Sequence, residues 1–186
     1  RLLATRDPHE AKAMAERLDQ LNLERRNLEN QIKEAALEQA INRKTVGSLA
    51  WAAGDSWHPG VVGIVASRLK EATNLPSVVI GFDGLIGKGS GRSISGVDLG
   101  FAIQKLMGEG LLLTGGGHKM AVGLSLAKEN LEKAMSRLTE IIEQQSTTID
   151  SSPKVNIDTL LLPSAATLEL VELLNSAGPY GPGAKA

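Results

Sequence analysis

Thr114-Gly115-Gly116-Gly117-His118-Lys119-Met120-Ala121-Val122-Gly123 is the stretch around which the chain is organised. Three consecutive glycines contribute no side chain to a core. They permit positive φ and let the backbone come close to something else. A histidine and a lysine follow at once, and residues 120–126 then read as a strand of small side chains. A glycine-rich turn, two polar heads and a strand make either a plain tight turn or a pocket for a phosphate or nucleotide backbone. The rest of the chain has to supply partners before the second reading holds.

Bulk properties narrow the field. The 186 residues suffice for one full domain and part of another. With 42% hydrophobic but only 3% aromatic residues, the core must be built from Leu, Ile, Val and Ala. A net charge of −1 gives no global basic field, so any anion site must be local. The absence of cysteine excludes disulfides and cysteine-ligated zinc. No apolar run approaches the ~18 residues of a membrane span, so no membrane partner is expected. The chain begins at Arg1 inside a polar helical pattern, without initiator Met or signal peptide. We expect a piece of a longer intracellular protein, placed in the cytoplasm.

Asp7-Pro8 is a helix start, with Asp as N-cap and Pro at the first position. No Gly or Pro interrupts from there to about Arg43. Met14, Leu21, Leu28 and Ala35 fall seven apart, with Leu18 and Ile32 in a second row. That stripe suits a coiled-coil helix or a connector between two domains; the short, imperfect row favours the connector. After a break at Gly47, residues 48–53 read as a strand and residues 61–70 as a helix ending near Asn74. Residues 77–82 are a β-branched strand, and Asp83-Gly84 signals a hairpin. The returning strand, residues 85–94, carries Gly87, Gly89 and Gly91, read as bulges or points of close ligand approach. Helices are expected over residues 98–107 and 128–145, then a linker over 144–153, a strand over 154–162 and a helix over 164–176. This alternation predicts an α/β fold: a mixed β-sheet flanked by helices, preceded by a long connector helix.

Three constellations could bind an anion. In Gly87-Lys88-Gly89-Ser90-Gly91-Arg92-Ser93, alternating glycines leave backbone open while Ser90, Arg92 and Ser93 offer donors. Arg suits planar, bidentate contact with phosphate; the bland reading is a solvated hairpin. The segment is no Walker A loop, because the Gly-Lys-Ser/Thr ending is missing. In the opening stretch, His118 and Lys119 could reach a phosphate or a base edge, or His118 could be structural. In Trp57-His58-Pro59-Gly60, a helix N-terminus faces an anion, or His58 merely caps while Trp57 packs. His9, His58 and His118 lack ligand spacing, so no metal site is expected in this chain. No Ser/His/Asp arrangement and no paired carboxylates are visible, so no catalytic residue is assigned.

Four segments together resemble a known family. The run from Trp57-His58-Pro59-Gly60 to Leu69 resembles the first block of the DHH-associated domain of RecJ-type single-strand-specific exonucleases. The run from Gly89-Ser90-Gly91-Arg92-Ser93 to Leu99 resembles the second block, and Gly115-Gly116-Gly117-His118 to Gly123 the third. Gly178-Pro179-Tyr180-Gly181-Pro182-Gly183 is similar to the motif that opens the family's OB-fold region, although Ala184-Lys185-Ala186 departs from the usual continuation. Order and spacing agree over nearly the whole chain.

The resemblance implies a role for each part. Residues 1–45 would be the connector helix, 46–146 the DHH-associated substrate-binding domain, and 147–186 a linker and the truncated start of the OB-fold region. It implies substrate contacts at Ser90, Gly91, Arg92, Ser93, Gly116, Gly117, His118 and Lys119, with His58 added. The parent would degrade single-stranded DNA from the 5′ end in repair and recombination, with Mn²⁺ or Mg²⁺ bound by a DHH domain outside this chain, by two-metal chemistry. This chain alone is expected to be inactive. Single-stranded DNA and the DHH domain would be its partners, with single-strand-binding protein a further candidate. The alternatives are a DHH-family oligonucleotide or phosphonucleotide phosphodiesterase, or a non-catalytic nucleic-acid-binding module like the C-terminal domain of alanyl-tRNA synthetase.

Overall fold

A computed structural model describes residues 2–43, 48–146 and 160–178. Its contacts divide the chain into two units, Arg1–Ile149 and Asp150–Ala186. In the first unit, helix α1 runs Pro8–Asn42; the Asp7 carboxylate accepts the His9 N–H at 2.9 Å, the cap expected from Asp7-Pro8. Five strands follow: β1 (Ala50–Asp55), β2 (Ser77–Asp83), β3 (Ile86–Arg92), β4 (Thr114–His118) and β5 (Ala121–Ala127). They form one sheet in the order β1-β2-β3-β5-β4. β1 and β2 are parallel, joined through helix α2 (Pro59–Thr73), and the other pairs are antiparallel. Helices α3 (Leu99–Gly108) and α4 (Leu131–Ser146) complete the unit. The fold is the expected α/β arrangement, a mixed sheet flanked by helices behind a long first helix.

The two sheet faces are covered unequally. Ile80, Phe82, Leu124 and Leu126 join α3 and α4 in one core, with Leu106 and Leu138 fully buried. On the opposite face Ala50, Ala52 and Val79 pack with α2 and the last third of α1. Small alanines there let the helices sit close to the strands.

Glycines decide which way β3 faces. Gly87, Gly89 and Gly91 all turn towards α3 and α4. An added Cβ would lie 2.7 Å from the Phe82 ring at Gly87, 2.8 Å from Ile80 at Gly89 and 2.7 Å from Val122 at Gly91. Pairing with β2 and β5 runs unbroken, so there is no bulge. The expectation that these glycines open the backbone to a ligand is therefore corrected: they give space to large core neighbours.

The Gly115-Gly116-Gly117 run is also not a turn. It is the edge strand β4, and the turn is Lys119-Met120. Each glycine answers a different need. A Cβ at Gly115 would press on Ile103 at 2.7 Å, and one at Gly117, where φ is +144°, would collide with the Ala121 carbonyl. At Gly116 a Cβ would meet nothing within 4 Å.

The stripe on α1 differs from the heptad row. Ile32, Ala36 and Ala40, four apart, are buried, whereas Leu18, Leu21 and Leu28 are 52%, 44% and 45% exposed. Only the last turns of α1 meet the sheet and α2. There the Gln39 amide acts as a substitute strand: Nε2 donates to the Ala53 carbonyl at 2.9 Å and Oε1 accepts the Ala53 N–H at 3.1 Å. Arg43 donates to the Trp51 carbonyl at 3.0 Å and stacks over its ring. The outer edge of β1 is thus closed by side chains.

In the second unit, a single 3₁₀ turn (Pro163–Ala165) precedes helix α5 (Leu168–Ser176), whose Thr167 cap accepts the Leu170 N–H. The helix begins later than expected because Thr167 caps it. Residues 160–162 have no regular structure. The expected break at Gly47 and the Gly-Pro-Tyr-Gly-Pro-Gly tail beyond Gly178 lie outside the described residues, as do most of the linker and the strand over residues 154–162.

Urea titration of three variants checks this packing. Gly91→Val should overpack the core and lower the unfolding free energy by about 1–3 kcal/mol. Gly123→Val, on the open face of β5, should stay within about 0.5 kcal/mol of the parent. Gln39→Ala, which strips both partners from Ala53, should cost about 1–2 kcal/mol.

Candidate functional site

Sheet register assembles a polar face from β3, β5 and β4, on the side away from α3 and α4. Arg92, Ala121 and His118 form one row across the strands. Ser90, Gly123 and Gly116 form the next, and Lys88, Ser125 and Thr114 the third. On this side α1 lies over β1 and α2 over β2 and β3, and the two helices leave β5 and β4 uncovered. A Cβ on Gly116 or Gly123 would meet nothing within 4 Å, so the middle of the face is bare backbone. Strands lie ~4.8 Å apart, which roots Arg92 and His118 about 10 Å from each other across that floor.

Arg92 is held but not neutralised. Its Nη1 donates to the Gly91 carbonyl at 2.9 Å. Its Nη2 passes beneath Gly63 of α2, where a Cβ would stand 3.2 Å from Nη2 and 3.4 Å from Ser90 Oγ. Among the described residues, no carboxylate pairs with Arg92, His118 or Lys119, whereas Arg25, Arg68 and Arg137 are all ion-paired. The far side of the face is pinned by backbone. Ser93 N–H donates to the Met120 carbonyl at 2.9 Å and Leu99 N–H to the Lys119 carbonyl at 3.1 Å. The β4–β5 turn is thereby tied to the ends of β3 and α3, which keeps His118 in the row of Arg92.

Of the residues singled out from sequence, Ser90, Arg92, Gly116 and His118 share this face. Gly117 shapes the strand end, and Lys119 is exposed in the adjoining turn. Three others lie elsewhere. Gly91 faces the core. Ser93 is 1% exposed, and its hydroxyl donates to the Val97 carbonyl at 2.8 Å, so it is no ligand donor. His58 caps α2: its Nδ1 accepts the Gly60 N–H at 3.0 Å and its carbonyl accepts from Val61 and Val62. With Pro59 lacking an N–H, the first amides of α2 are all occupied by His58, which corrects the picture of a bare helix N-terminus facing an anion. His58 lines a separate cleft of about 860 Å³ that includes neither Arg92 nor His118. Gly123 and Gly63 were not singled out from sequence. Gly123 closes the opening stretch, two residues beyond the partner of His118; the signal for Gly63 needs the α2–β3 packing.

A guanidinium, an imidazole and a hydroxyl around a side-chain-free floor suit a phosphate, with bidentate contact from the arginine. The face holds no nucleophile–base pair. Among the described residues no three His, Asp or Glu converge as they would to hold a metal ion.

The chain resembles known proteins in sequence and in fold. The family model described as the DHHA1 domain matches residues 32–144. The chain is 34% identical over 182 residues to the single-stranded-DNA-specific exonuclease RecJ of Bacillus subtilis (strain 168), covering 97% of this chain and 23% of that protein. Against RecJ of Escherichia coli (strain K12) the identity is 38%, over 92% of this chain and 31% of the relative. The crystal structure of RecJ from Thermus thermophilus in complex with Mn²⁺ matches with a TM-score of 0.81 at 30% identity, over 95% of this chain and 26% of that one. The corresponding Mg²⁺ complex matches at 0.82 and 30%, over 97% and 27%. The chain thus spans about a quarter to a third of these relatives, between 23% and 31% of each. The matched residues run from the buried turns of α1 to α4 and contain the whole sheet, and the chain belongs to the DHHA1 domain family.

Proposed function

We propose that this chain is the substrate-holding part of a RecJ-type exonuclease. The Arg92–His118 face would grip backbone phosphates of single-stranded DNA and present them to a two-metal site in a DHH catalytic domain outside this chain, where Mn²⁺ or Mg²⁺ is bound. The observation that carries this reading is the uncovered half of the sheet: a floor with no side chains at Gly116 and Gly123, beside an arginine that pairs with no carboxylate among the described residues. The family's named activity on single-stranded DNA supports the choice of substrate. Phosphate contacts of this kind position a strand without reading its sequence.

The other parts of the chain fit the same division of labour. The part of α1 before Ile32 carries Leu18, Leu21 and Leu28 exposed on a helix whose far end is locked to the sheet. Those leucines would rest on the catalytic domain, which makes α1 its connector. Residues 147–186 would be the linker and the start of an OB-fold region. Single-strand-binding protein remains a candidate partner, and DNA repair and recombination the setting.

Two outcomes test the proposal. Arg92→Ala should weaken binding of 5′-phosphorylated oligo-dT about tenfold, the equivalent of ~1.4 kcal/mol. It should also reduce the slope of log affinity against log salt by about 0.7 for each phosphate released. Unchanged affinity and slope would make Arg92 a surface residue with no ligand role. The chain incubated with Mn²⁺ and labelled oligo-dT should leave the DNA intact; cleavage that copurifies with the chain would refute the division of labour.

A further inference from the structure

The polar face does not end at Ser90. Lys88 is the next outward-facing residue on β3, two positions before Ser90 and four before Arg92. At ~3.3 Å per residue it is rooted about 13 Å from Arg92, and side chains that stand side by side off the sheet set their heads over separate phosphates. Lys88 is exposed and makes no ion pair among the described residues. It opens into the cleft of about 860 Å³ that His58, Trp57 and Pro59 also line.

The cleft is built by a specific close approach. Gly81 of β2 is the cross-strand partner of Lys88, on the same face. The Trp57 carbonyl lies directly on Gly81, where any Cβ would collide with it. The Trp57 ring in turn rests on Gly54. This seats the β1–α2 turn on the sheet and brings His58, the next residue, over the row of Lys88. Because His58 Nδ1 already accepts from Gly60, the neutral ring carries its proton on Nε2, a second donor available to the cleft.

The charges in the cleft are not all free. Lys128 is paired with Asp55 at 2.6 Å. Asp83 stands one row further out, opposite Ile86, and forms no ion pair with Lys88. Lys88 is therefore the unpaired cation among the cleft's described residues. The aromatic groups are engaged as well. Phe82 is 4% exposed beneath Lys128, and Trp57 packs against Gly54. The cleft offers charge and N–H donors to a ligand.

We infer that this cleft is a second phosphate subsite, in which Lys88 Nζ and His58 Nε2–H hold a backbone phosphate of the same DNA strand whose other phosphate lies at Arg92. This rests on the proposed role of the Arg92 face. The strand would run beside β3, crossing the bare floor at Gly116 and Gly123. Its bases would go unread at the cleft, which suits an enzyme that must accept any sequence.

Fluorescence anisotropy on the 186-residue chain tests this with two 5′-phosphorylated ligands, a dinucleotide of dT and a ten-nucleotide dT. Lys88→Ala should leave dinucleotide affinity unchanged, weaken the longer ligand about fivefold and lower its salt slope by about 0.7. Lys88→Arg should restore both. Arg92→Ala should weaken both ligands. If Lys88→Ala has no effect on the longer ligand while Arg92→Ala does, the cleft is off the strand path and the subsite is wrong, with the Arg92 reading intact. Equal losses on both ligands would also overturn it, because Lys88 would then belong to the first site. If neither substitution weakens either ligand, the reading of the whole face fails and the subsite with it.

Discussion

The candidate site depends on the two-residue period of β3. Along that strand every residue facing α3 and α4 is a glycine and every residue facing the other way is larger, with Lys88, Ser90 and Arg92 in line. The glycines accept Phe82, Ile80 and Val122 as neighbours, which draws the sheet against its helical layer. A one-residue slip in register would turn Arg92 into the core and a glycine onto the polar face, so core packing and ligand binding specify the same register. The polar face is thus fixed by what happens on its reverse.

The opposite layer sets where that face is open. α2 covers β2 and β3, and over Arg92 and Ser90 it presents Gly63, which has no side chain. A larger residue there would press on the guanidinium. The turn that begins α2 is seated on Gly81, and the turn between β4 and β5 is held by Ser93 and Leu99. Both rims are therefore fixed by backbone contacts, and the groups between them are positioned before any ligand arrives. Such preorganisation suits a surface that must hold a flexible polymer, because less ordering is left to binding.

Much of this architecture was legible in the sequence, and the misreadings share a cause. Helix starts at Asp7-Pro8 and Asp98, the β2–β3 hairpin at Asp83-Gly84 and the α/β alternation all follow from local chemistry, and local chemistry is visible in one dimension. The direction a glycine faces is not local. Gly87, Gly89 and Gly91 could be assigned to the core only once Ile80, Phe82 and Val122 were across from them. The Gly115-Gly116-Gly117 run looked like a turn because three glycines suit one; pairing with β5 makes it a strand. Ser93 carried the same hydroxyl as Ser90, and only the fold places Val97 where it takes that hydrogen bond. On α1, spacing of seven marked Leu21 and Leu28, but the helix is buried only where Ile32, Ala36 and Ala40 meet α2. Arg92 and His118 were recoverable as a pair from family resemblance; that they share a row with Ala121 between them needed the register.

The central claim is that ligand phosphate sits on the half-covered face of the sheet. The most direct measurement is amide chemical-shift mapping of the isotope-labelled chain titrated with 5′-phosphorylated oligo-dT. The account predicts the largest changes at Ser90, Arg92, Gly116, His118 and Gly123, fading through β2 and small along the core-facing side of α3 and α4. Changes concentrated on α3 and α4, or confined to residues 160–178, with the β3–β5–β4 face unmoved, would contradict it.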